Sequence, residues 1–275
     1  MDHQCPDVST FQRSNVQTNS RSNFPTPAPG LNGGSNATAV RTAPQPVVTE
    51  TSLPGPGSSL AQQTTVIVVA HNSGATLHDC ISSILSTEPG VEIVLVDNAS
   101  ADSSVEEIQS HFPSVRVVRS DQNLGFGAGN NLAAARAGGK YLVFLNPDAT
   151  VSQGWLHVLV GPLVDDPSVG LVTPKVLLAG DPGRINVAGL DVHLSGISMC
   201  RGLDAPREAL AGGTEVAAIS GVAFAVRREL FEALGGFDES FFMYVEDVDL
   251  SLRAWLTGYR CLYVPRAVVR HHYAL

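Results

Sequence analysis

Apolar and polar residues alternate in an orderly way from Thr64 onward. Runs of β-branched and aliphatic residues are each followed by a helix-like pattern of apolar positions. The strand-like runs are TTVIVVA, VEIVLVD, SVRVVRS and KYLVFLN, and the helix-like segments cover residues 75–85, 103–111 and 129–137. Continuous apolar strands that alternate with helices are typical of a parallel sheet covered on both faces. The pattern therefore predicts an α/β fold with a mostly parallel central sheet and helices on both faces.

The second half of this region, residues 151–275, is less regular than the first half, residues 64–150. We expect mixed short strands there, with helices over residues 228–234 and 246–257. In open α/β sheets, ligands bind beyond the C-terminal ends of the strands. Polar residues follow three of the predicted strands, so we expect them to meet along one edge; they are at positions 71–72, 97–98 and 146–148.

Residues 1–63 differ from the rest of the chain. They are rich in Ser, Thr, Asn, Gln, Pro and Gly and show no sustained apolar period. Such a segment cannot bury enough apolar surface to offset the entropy lost on ordering. We therefore predict a disordered tail over residues 1–63 and one folded domain over residues 64–275.

Composition and charge exclude several classes of protein. The 275 residues carry a net charge of -9, which argues against nucleic-acid binding because that task needs a surplus of Lys and Arg. The longest apolar stretches, such as residues 66–70 and 91–96, are far shorter than the roughly 20 residues that cross a bilayer. The N-terminus also lacks the basic start and apolar run of a secretory signal. These features predict a cytoplasmic location.

The four cysteines, Cys5, Cys80, Cys200 and Cys261, are far apart and form no CxxC pair. This spacing disfavours both a zinc site and a disulfide framework. We expect reduced thiols, with the last three packed inside the fold.

Two segments offer contacts for a nucleotide. Asp97 ends an apolar strand, where it is either a turn former or an acceptor for the imide N–H of a uracil or thymine ring. The segment NLGFGAGNN resembles a dinucleotide-binding loop, but it follows the third strand and Asn130 breaks the GxGxxG spacing, which weakens an oxidoreductase hypothesis. A glycine loop at a helix start still lets the backbone approach a ligand, and Asn130 or Asn131 can bind a ribose or a diphosphate.

Two further segments contain potential metal ligands. FLNPDA places Asn146 and Asp148 just after a strand, where they form either an ordinary turn or a site for Mg²⁺ or Mn²⁺, which take carboxylates together with substrate phosphates. The C-terminal His271 and His272 can supply a nitrogen ligand to a metal or a hydrogen-bond donor to a phosphate, although surface histidines often have no function.

Three acidic residues, Glu246, Asp247 and Asp249, crowd the first turn of a predicted helix. Acids there complement the helix dipole, and Asp249 can pair with Arg253 four residues later. That explanation fits Glu246 and Asp247 less well, because they follow an aromatic segment, FDESFFMY, that is typical of a pocket wall.

Taken in order, the motifs VLVDNASADSS, NLGFGAGNN, FLNPDA, GGFDESFFMYVEDVDLSLRA and HHY resemble the family 2 glycosyltransferases of GT-A fold, most closely their bacterial rhamnosyltransferase-like branch. The resemblance covers residues 64–275. It implies a nucleotide-sugar donor (a dTDP- or UDP-sugar), a divalent cation (Mg²⁺ or Mn²⁺) and inversion at the anomeric carbon. It divides the domain into a nucleotide-binding half, residues 64–150, and an acceptor and catalytic half, residues 151–275.

The resemblance also assigns roles to residues. Asp97 corresponds to the aspartate that recognises the base, and Asn131 to the asparagine that ends the glycine-rich motif. His71, Asn98 and Asn146 complete the expected donor-binding set.

On the catalytic side, Asp148 stands where the family has the last acid of its DxD metal motif, and Asn146 replaces the first. Asp247 corresponds to the general base of the family's ED motif, with Glu246 beside it. His271 is similar to a histidine that touches the metal or the diphosphate, and His272 is an equally good alignment.

The expected function is transfer of rhamnose or a similar sugar to a hydroxyl of a polysaccharide or of a lipid-linked saccharide, in the cytoplasm or at the inner face of the cell membrane. Peripheral membrane association is part of this expectation. Family members usually continue past the terminal histidine with further helices, whereas this sequence ends at Leu275, so it is either a fragment or a form without that part. The alternative is a catalytically impaired relative that binds a nucleotide sugar or a protein partner.

Overall fold

The computed structural model describes residues 59–272. The predicted disordered tail therefore lies outside the described residues up to position 58. Residues 59–63 form a turn in which the Gln63 N–H donates to the carbonyl of Ser59 at 3.1 Å, and Leu60 and Ala61 pack against the core. Residues 59–63, assigned to the tail from composition, are therefore packed against the domain.

Twelve strands and six helices make up the described part of the chain. The strands are β1 Thr64–Ala70, β2 Glu92–Asn98, β3 Arg116–Ser120, β4 Tyr141–Leu145, β5 Ala149–Val151, β6 Val169–Leu178, β7 Ile185–Val187, β8 Leu190–Val192, β9 Ser198–Cys200, β10 Thr214–Glu215, β11 Ala223–Arg227 and β12 Arg260–His271. The helices are α1 Gly74–Thr87, α2 Ser104–His111, α3 Gly125–Ala134, α4 Trp155–Asp165, α5 Arg228–Ala233 and α6 Glu246–Leu256.

Ten of the strands form one sheet, with the order β10-β12-β6-β11-β4-β1-β2-β3; β5 pairs with β12 and β7 pairs with β6. Strand β11 is antiparallel to both β4 and β6, while β12 is parallel to β6. The six strands β1, β2, β3, β4, β6 and β12 therefore run in one direction. The prediction of a mostly parallel central sheet is confirmed.

Each face of this sheet carries its own apolar core. One cluster joins the sheet to α1, α2 and α4, and the other joins it to α3 and α5; α6 contributes Val248 to the first cluster and Leu250 and Ala254 to the second. Alternate residues of one strand enter opposite clusters: Val66 and Val68 belong to the first and Ile67 to the second. Helices therefore cover both faces, as the continuous apolar strands predict.

Several local predictions differ from the structure. Helix α3 begins at Gly125, four residues earlier than predicted, because the glycine-rich segment itself is helical. Helix α4 is not predicted by the sequence pattern, because Gly161 and Pro162 interrupt a segment that is apolar nearly throughout. Cys80 and Cys261 are buried free thiols, but Cys200 is exposed, so the prediction of a packed Cys200 is wrong.

Within residues 59–272, no helix is long and apolar enough to cross a membrane.

Candidate active site

The polar residues that end the parallel strands lie along one edge of the sheet. Ala70 at the end of β1 pairs with Asp97 on β2, and β1 also pairs with β4, which leads into Asn146. Neighbouring strands are about 4.8 Å apart, so β2, which contains Asp97, and β4, which precedes Asn146, are separated by about 10 Å. His71 lies on the same edge, with its Nδ1 2.9 Å from the carbonyl oxygen of Asn98.

Asp97 makes two protein contacts at this edge. Its Oδ1 accepts the Ser100 N–H at 2.9 Å, and its Oδ2 accepts from Arg119 Nη1 at 2.5 Å. Its exposed fraction is only 6%. The first contact is that of a turn former, one of the two alternatives considered from the sequence. Recognition of a base by the remaining lone pairs stays a prediction.

Asn98 is buried and holds the glycine-rich segment. Its Oδ1 accepts the Leu124 N–H at 2.8 Å, and its Nδ2 donates to the Gly125 carbonyl at 3.1 Å and to Asn123 Oδ1 at 2.9 Å. These bonds occupy the amide within the protein. The structure thus gives Asn98 a role in shaping the loop, and its predicted contact with the donor stays untested.

Asn131 joins α3 to the segment before α6. Its amide accepts the Phe237 N–H at 2.9 Å, donates to the Phe237 carbonyl at 2.9 Å and donates to Glu239 Oε1 at 3.1 Å. The side chain therefore holds the aromatic segment in place. Direct binding of the donor by Asn131 also stays a prediction.

Asp148 and His271 are far apart in sequence and adjacent in space. Strand β12 pairs with β5, so His271 lies opposite Ala149, and the His272 N–H donates to the Asp148 carbonyl at 3.0 Å. The His271 Nε2 is 3.2 Å from Asp148 Oδ1, whereas the His272 side chain is exposed. Of the two histidines that align with the motif, it is His271 whose ring faces the aspartate.

The Asp148–His271 pair fits a divalent cation. Two cis ligands of an octahedral ion with bonds of about 2.1 Å are about 3.0 Å apart, close to the observed 3.2 Å. No cluster of three or more His, Cys, Asp or Glu side chains within residues 59–272 could hold a metal ion. A two-residue set leaves coordination positions for substrate phosphates, which is how Mg²⁺ and Mn²⁺ are usually held.

Asp247 is the second residue of α6 and is connected by hydrogen bonds to the turn that contains Asn146 and Asp148. Its Oδ2 accepts the Gly221 N–H at 2.8 Å and its Oδ1 accepts the Val248 N–H at 2.8 Å. Val222, the residue after Gly221, connects this carboxylate to the end of β4, because its carbonyl accepts the Asn146 N–H at 2.9 Å. Burial raises the pKa of Asp247 above the ordinary aspartate value, although the backbone hydrogen bonds act to lower it. A carboxylate with a raised pKa is a better proton acceptor.

A family model described as glycosyl transferase family 2 matches residues 65–235, more than half of the chain. The chain belongs to the family 2 glycosyltransferases. The resemblance to this family is thereby confirmed, and the protein is a glycosyltransferase enzyme.

Curated relatives of this glycosyltransferase include bacterial enzymes. An N-acetylglucosaminyl-diphospho-decaprenol L-rhamnosyltransferase from Mycobacterium tuberculosis is 32% identical over 237 residues, which cover 76% of each chain. The O-antigen biosynthesis protein RfbC of Myxococcus xanthus is 30% identical over 243 residues, covering 84% of this chain and 19% of its own.

Solved structures share the fold. GalNAc-T7, crystallised with UDP, GalNAc and Mn²⁺, superposes with a TM-score of 0.67 at 25% identity, over 78% of this chain and 44% of its own. A mannosyltransferase from Pyrobaculum calidifontis, in complex with GDP-Man and Mn²⁺, gives a TM-score of 0.56 at 22% identity, over 76% and 56% of the two chains. The predicted GT-A fold is confirmed.

Glu246 directly precedes Asp247, the candidate base of this glycosyltransferase, but its carboxyl group has a different environment. Its exposed fraction is 5%, and its Oε2 is buried without a hydrogen-bond partner. Burial, reinforced by the negative charge of Asp247, raises the pKa of Glu246 to about 7. Glu246 is therefore partly protonated near neutral pH, whereas Asp247 has donors for both of its oxygens.

The aromatic segment before α6 is exposed beside Asp247. Phe242, Met243, Tyr244 and Val245 are all exposed, and Tyr244 reaches 76%. Tyr244 and Val245 both have a φ of +73°, a left-handed conformation that is costly for a β-branched valine. Strained backbone of this kind clusters at functional sites. The pocket wall expected from the sequence stays a prediction.

Proposed function

We propose that this enzyme transfers rhamnose or a similar sugar from a dTDP- or UDP-sugar to a hydroxyl of a lipid-linked saccharide or polysaccharide, with inversion at the anomeric carbon. The observation that carries the proposal is the half-buried carboxylate of Asp247. It accepts the Gly221 N–H, and the next residue, Val222, accepts the N–H of Asn146 in the turn that contains Asp148. Similarity to the mycobacterial rhamnosyltransferase supports the choice of sugar and acceptor class.

In this proposal Asp247 is the general base. A sugar hydroxyl is a weak nucleophile at neutral pH, so a carboxylate within hydrogen-bond reach must take its proton while the new C–O bond forms. The bond from the anomeric carbon to the diphosphate breaks in the same step, and the electron pair leaves with the diphosphate. Attack from the face opposite the leaving group gives inversion.

Asp148 and His271 are the residues that would hold Mg²⁺ or Mn²⁺. When bound, such a cation neutralises the negative charge that grows on the leaving diphosphate. The presence of Mn²⁺ in two solved structures of the same fold supports this assignment.

The donor is assigned to residues 64–150 and the acceptor to residues 151–275. Asp97, Asn98, Asn131, Asn146 and His71 line the proposed donor side: Asp97 contacts the base, and the other four contact or position the ribose and diphosphate. Support for this division comes from the separation of about 10 Å between β2, which contains Asp97, and β4, which precedes Asn146; a nucleoside diphosphate can span that distance along the edge.

A lipid-linked acceptor would bring this enzyme to the cytoplasmic face of a membrane as a peripheral protein. The exposed apolar segment at residues 242–245, beside the proposed base, supports this location. Full-length protein is expected to co-float with vesicles of neutral and anionic phospholipid. Recovery of all of the protein in the lipid-free fraction would contradict membrane association.

Asp247→Asn is the main test of this function, with Asp249→Asn as its matched control on the same helix. Asp249 pairs with Arg253 at 2.6 Å and has no proposed catalytic role. Asp247→Asn should lower turnover at least about 100-fold, the usual size of a general-base contribution, and leave donor affinity unchanged. Asp249→Asn should keep most of the activity. Donor hydrolysis and transfer are measured across a panel of nucleotide sugars, with calorimetry for donor binding.

If turnover survives Asp247→Asn, Asp247 is not the base. If the wild-type chain binds donor and shows no turnover with any sugar of the panel, the alternative of a catalytically impaired relative is correct.

A further inference from the structure

The ring of His271 has a polar partner on the side away from Asp148. Its Nδ1 lies 2.9 Å from Oδ1 of Asn186, and its Nε2 lies 3.2 Å from Oδ1 of Asp148. Asn186 and His271 expose only 3% and 7% of their surface. Both ring nitrogens therefore face polar atoms in an almost dry environment.

The backbone brings Asn186 to this position through an irregularity in β7. Val187 pairs with Val176 and Ile185 pairs with Leu177, so two steps along β7 match one step along β6. The extra residue in β7 is Asn186. β-Bulges of this kind re-aim a side chain and are frequent next to active sites. Here the bulge presents a buried amide between two buried apolar residues.

Strands β7 and β12 both pair with β6, and Leu177, which pairs with Ile185, also pairs with Arg270. The Asn186 and His271 side chains therefore meet across β6. This contact depends on three strands being in register and is not a chance meeting of surface groups.

The contact determines which nitrogen of His271 carries a proton. An amide oxygen only accepts hydrogen bonds, so Nδ1 must be the donor. A neutral imidazole has one N–H, and Nε2 then directs its lone pair toward the carboxylate of Asp148. Two acceptor atoms at 3.2 Å repel each other unless a proton or a metal cation lies between them.

We propose that Asn186 is a positioning residue that holds His271 as the Nδ1–H tautomer, so that Nε2 and Asp148 Oδ1 together bind the divalent cation. The inference rests on the cation site of the proposed function and adds to it a residue that touches neither metal nor substrate. Loss of a partner of this kind typically weakens metal binding about 10–100-fold.

Three variants of the full-length chain test the role. Asn186→Leu removes the acceptor at similar volume, and Asn186→Asp keeps an acceptor oxygen in the same place. Thr173→Val is the matched control, because it removes another fully buried hydrogen bond of the same sheet, from Thr173 Oγ1 to the Ala223 carbonyl at 3.0 Å, that involves neither His271 nor Asp148.

The first readout needs no metal. Long-range proton–nitrogen NMR spectra of ¹⁵N-histidine-labelled protein, with the His271 signals assigned by comparison with His271→Gln, should show His271 protonated at Nδ1. Asn186→Leu should abolish this preference, while Asn186→Asp and Thr173→Val should retain it. A wild-type His271 protonated at Nε2 would overturn the proposal, since Asn186 would then present its NH₂ group to the ring.

The second readout is Mn²⁺ affinity, measured by calorimetry in the presence of UDP. Asn186→Leu should bind Mn²⁺ about 10–100-fold more weakly than wild type. Asn186→Asp should bind at least as tightly as wild type, and Thr173→Val should be unchanged. Equal affinity of Asn186→Leu and wild type would overturn the role of Asn186 alone, whereas absence of Mn²⁺ binding in the wild-type chain would refute the cation site on which it rests. Asn186→Asp keeps the test decisive if Asn186→Leu does not fold.

Discussion

Two neighbouring carboxyl groups at the start of α6 show how local contacts separate chemically similar residues. Asp247 receives hydrogen bonds from the Gly221 and Val248 N–H groups, which stabilise its charge, while burial opposes it. Glu246 has a buried oxygen without a donor, and its pKa rises to about 7. Asp247 favours the charged form more than Glu246 does. Such a pair can act as one base beside one neutral acid.

This difference predicts a pH-dependent stability effect of Glu246→Gln. The pKa of Glu246 in the folded state, about 7, lies above the ordinary value of 4.5, so the folded state binds the proton more tightly than the unfolded state. Wild-type stability attributable to this group is therefore present below pH 4.5 and is lost as the pH rises through 7. Glutamine does not titrate, so the variant should gain about 1–3 kcal/mol relative to wild type between pH 5 and pH 8.

Urea unfolding of both chains at the two pH values measures this gain. Glu229→Gln, at an exposed position in the first turn of α5, is the control and should show no comparable change. A stability difference between wild type and Glu246→Gln that is the same at pH 5 and pH 8 would contradict the effect of burial on Glu246.

At the scale of elements, the glycine-rich start of α3 and the aromatic segment before α6 fit each other closely. The Phe126 N–H donates to the Phe242 carbonyl at 2.8 Å. Gly125 has a φ of +78°, and a Cβ there would overlap the Phe242 carbonyl oxygen. The glycine-rich motif of the sequence thus reflects packing between two loops as well as access for a ligand.

Gly125→Ala should therefore destabilise the enzyme by about 2 kcal/mol or more, because it combines left-handed backbone strain with a clash against main-chain atoms. Gly161→Ala is the matched control: Gly161 lies inside α4, and a Cβ there meets nothing within 4 Å. That substitution should be neutral or stabilise the fold by up to about 1 kcal/mol. Urea unfolding measures both. Equal stability of the two variants would show that the contact between the loops is not tight.

At the scale of the whole molecule, the sequence predicts the arrangement of sheet and helices better than it predicts which residues form the candidate site. Continuous apolar strands such as TTVIVVA identify a covered parallel sheet, and the motifs identify Asp148, Asp247 and a terminal histidine. The sequence could not separate His271 from His272, since that depends on the pairing of β12 with β5. Arg119 and Asn186 carry no motif, because their roles arise from the register of strands distant in sequence.

The turn at residues 59–63 also belongs to the scale of the whole molecule, because it joins the start of the described chain to the sheet. Composition predicts that residues 1–63 contribute little to the stability of the domain. In the structure, however, residues 59–63 are hydrogen-bonded to the sheet. The Thr64 Oγ1 donates to the Leu60 carbonyl at 2.8 Å, and the Tyr141 N–H donates to the Gln63 carbonyl at 3.1 Å. Leu60 and Ala61 also pack on the core. Residues 59–63 therefore contribute to the folded domain.

Two truncated chains, one starting at Ser59 and one at Thr64, test whether the turn at residues 59–63 stabilises the domain. A chain that starts at Ser59 should keep the melting temperature of the full-length protein, because composition predicts no packing by the segment removed. A chain that starts at Thr64 loses the turn, its hydrogen bonds and its apolar contacts, a loss of about 1–3 kcal/mol that lowers the melting temperature by several degrees. Differential scanning calorimetry of the three chains measures this. A large drop already in the chain that starts at Ser59 would mean that the removed segment stabilises the domain, and no drop in the chain that starts at Thr64 would mean that the turn adds nothing.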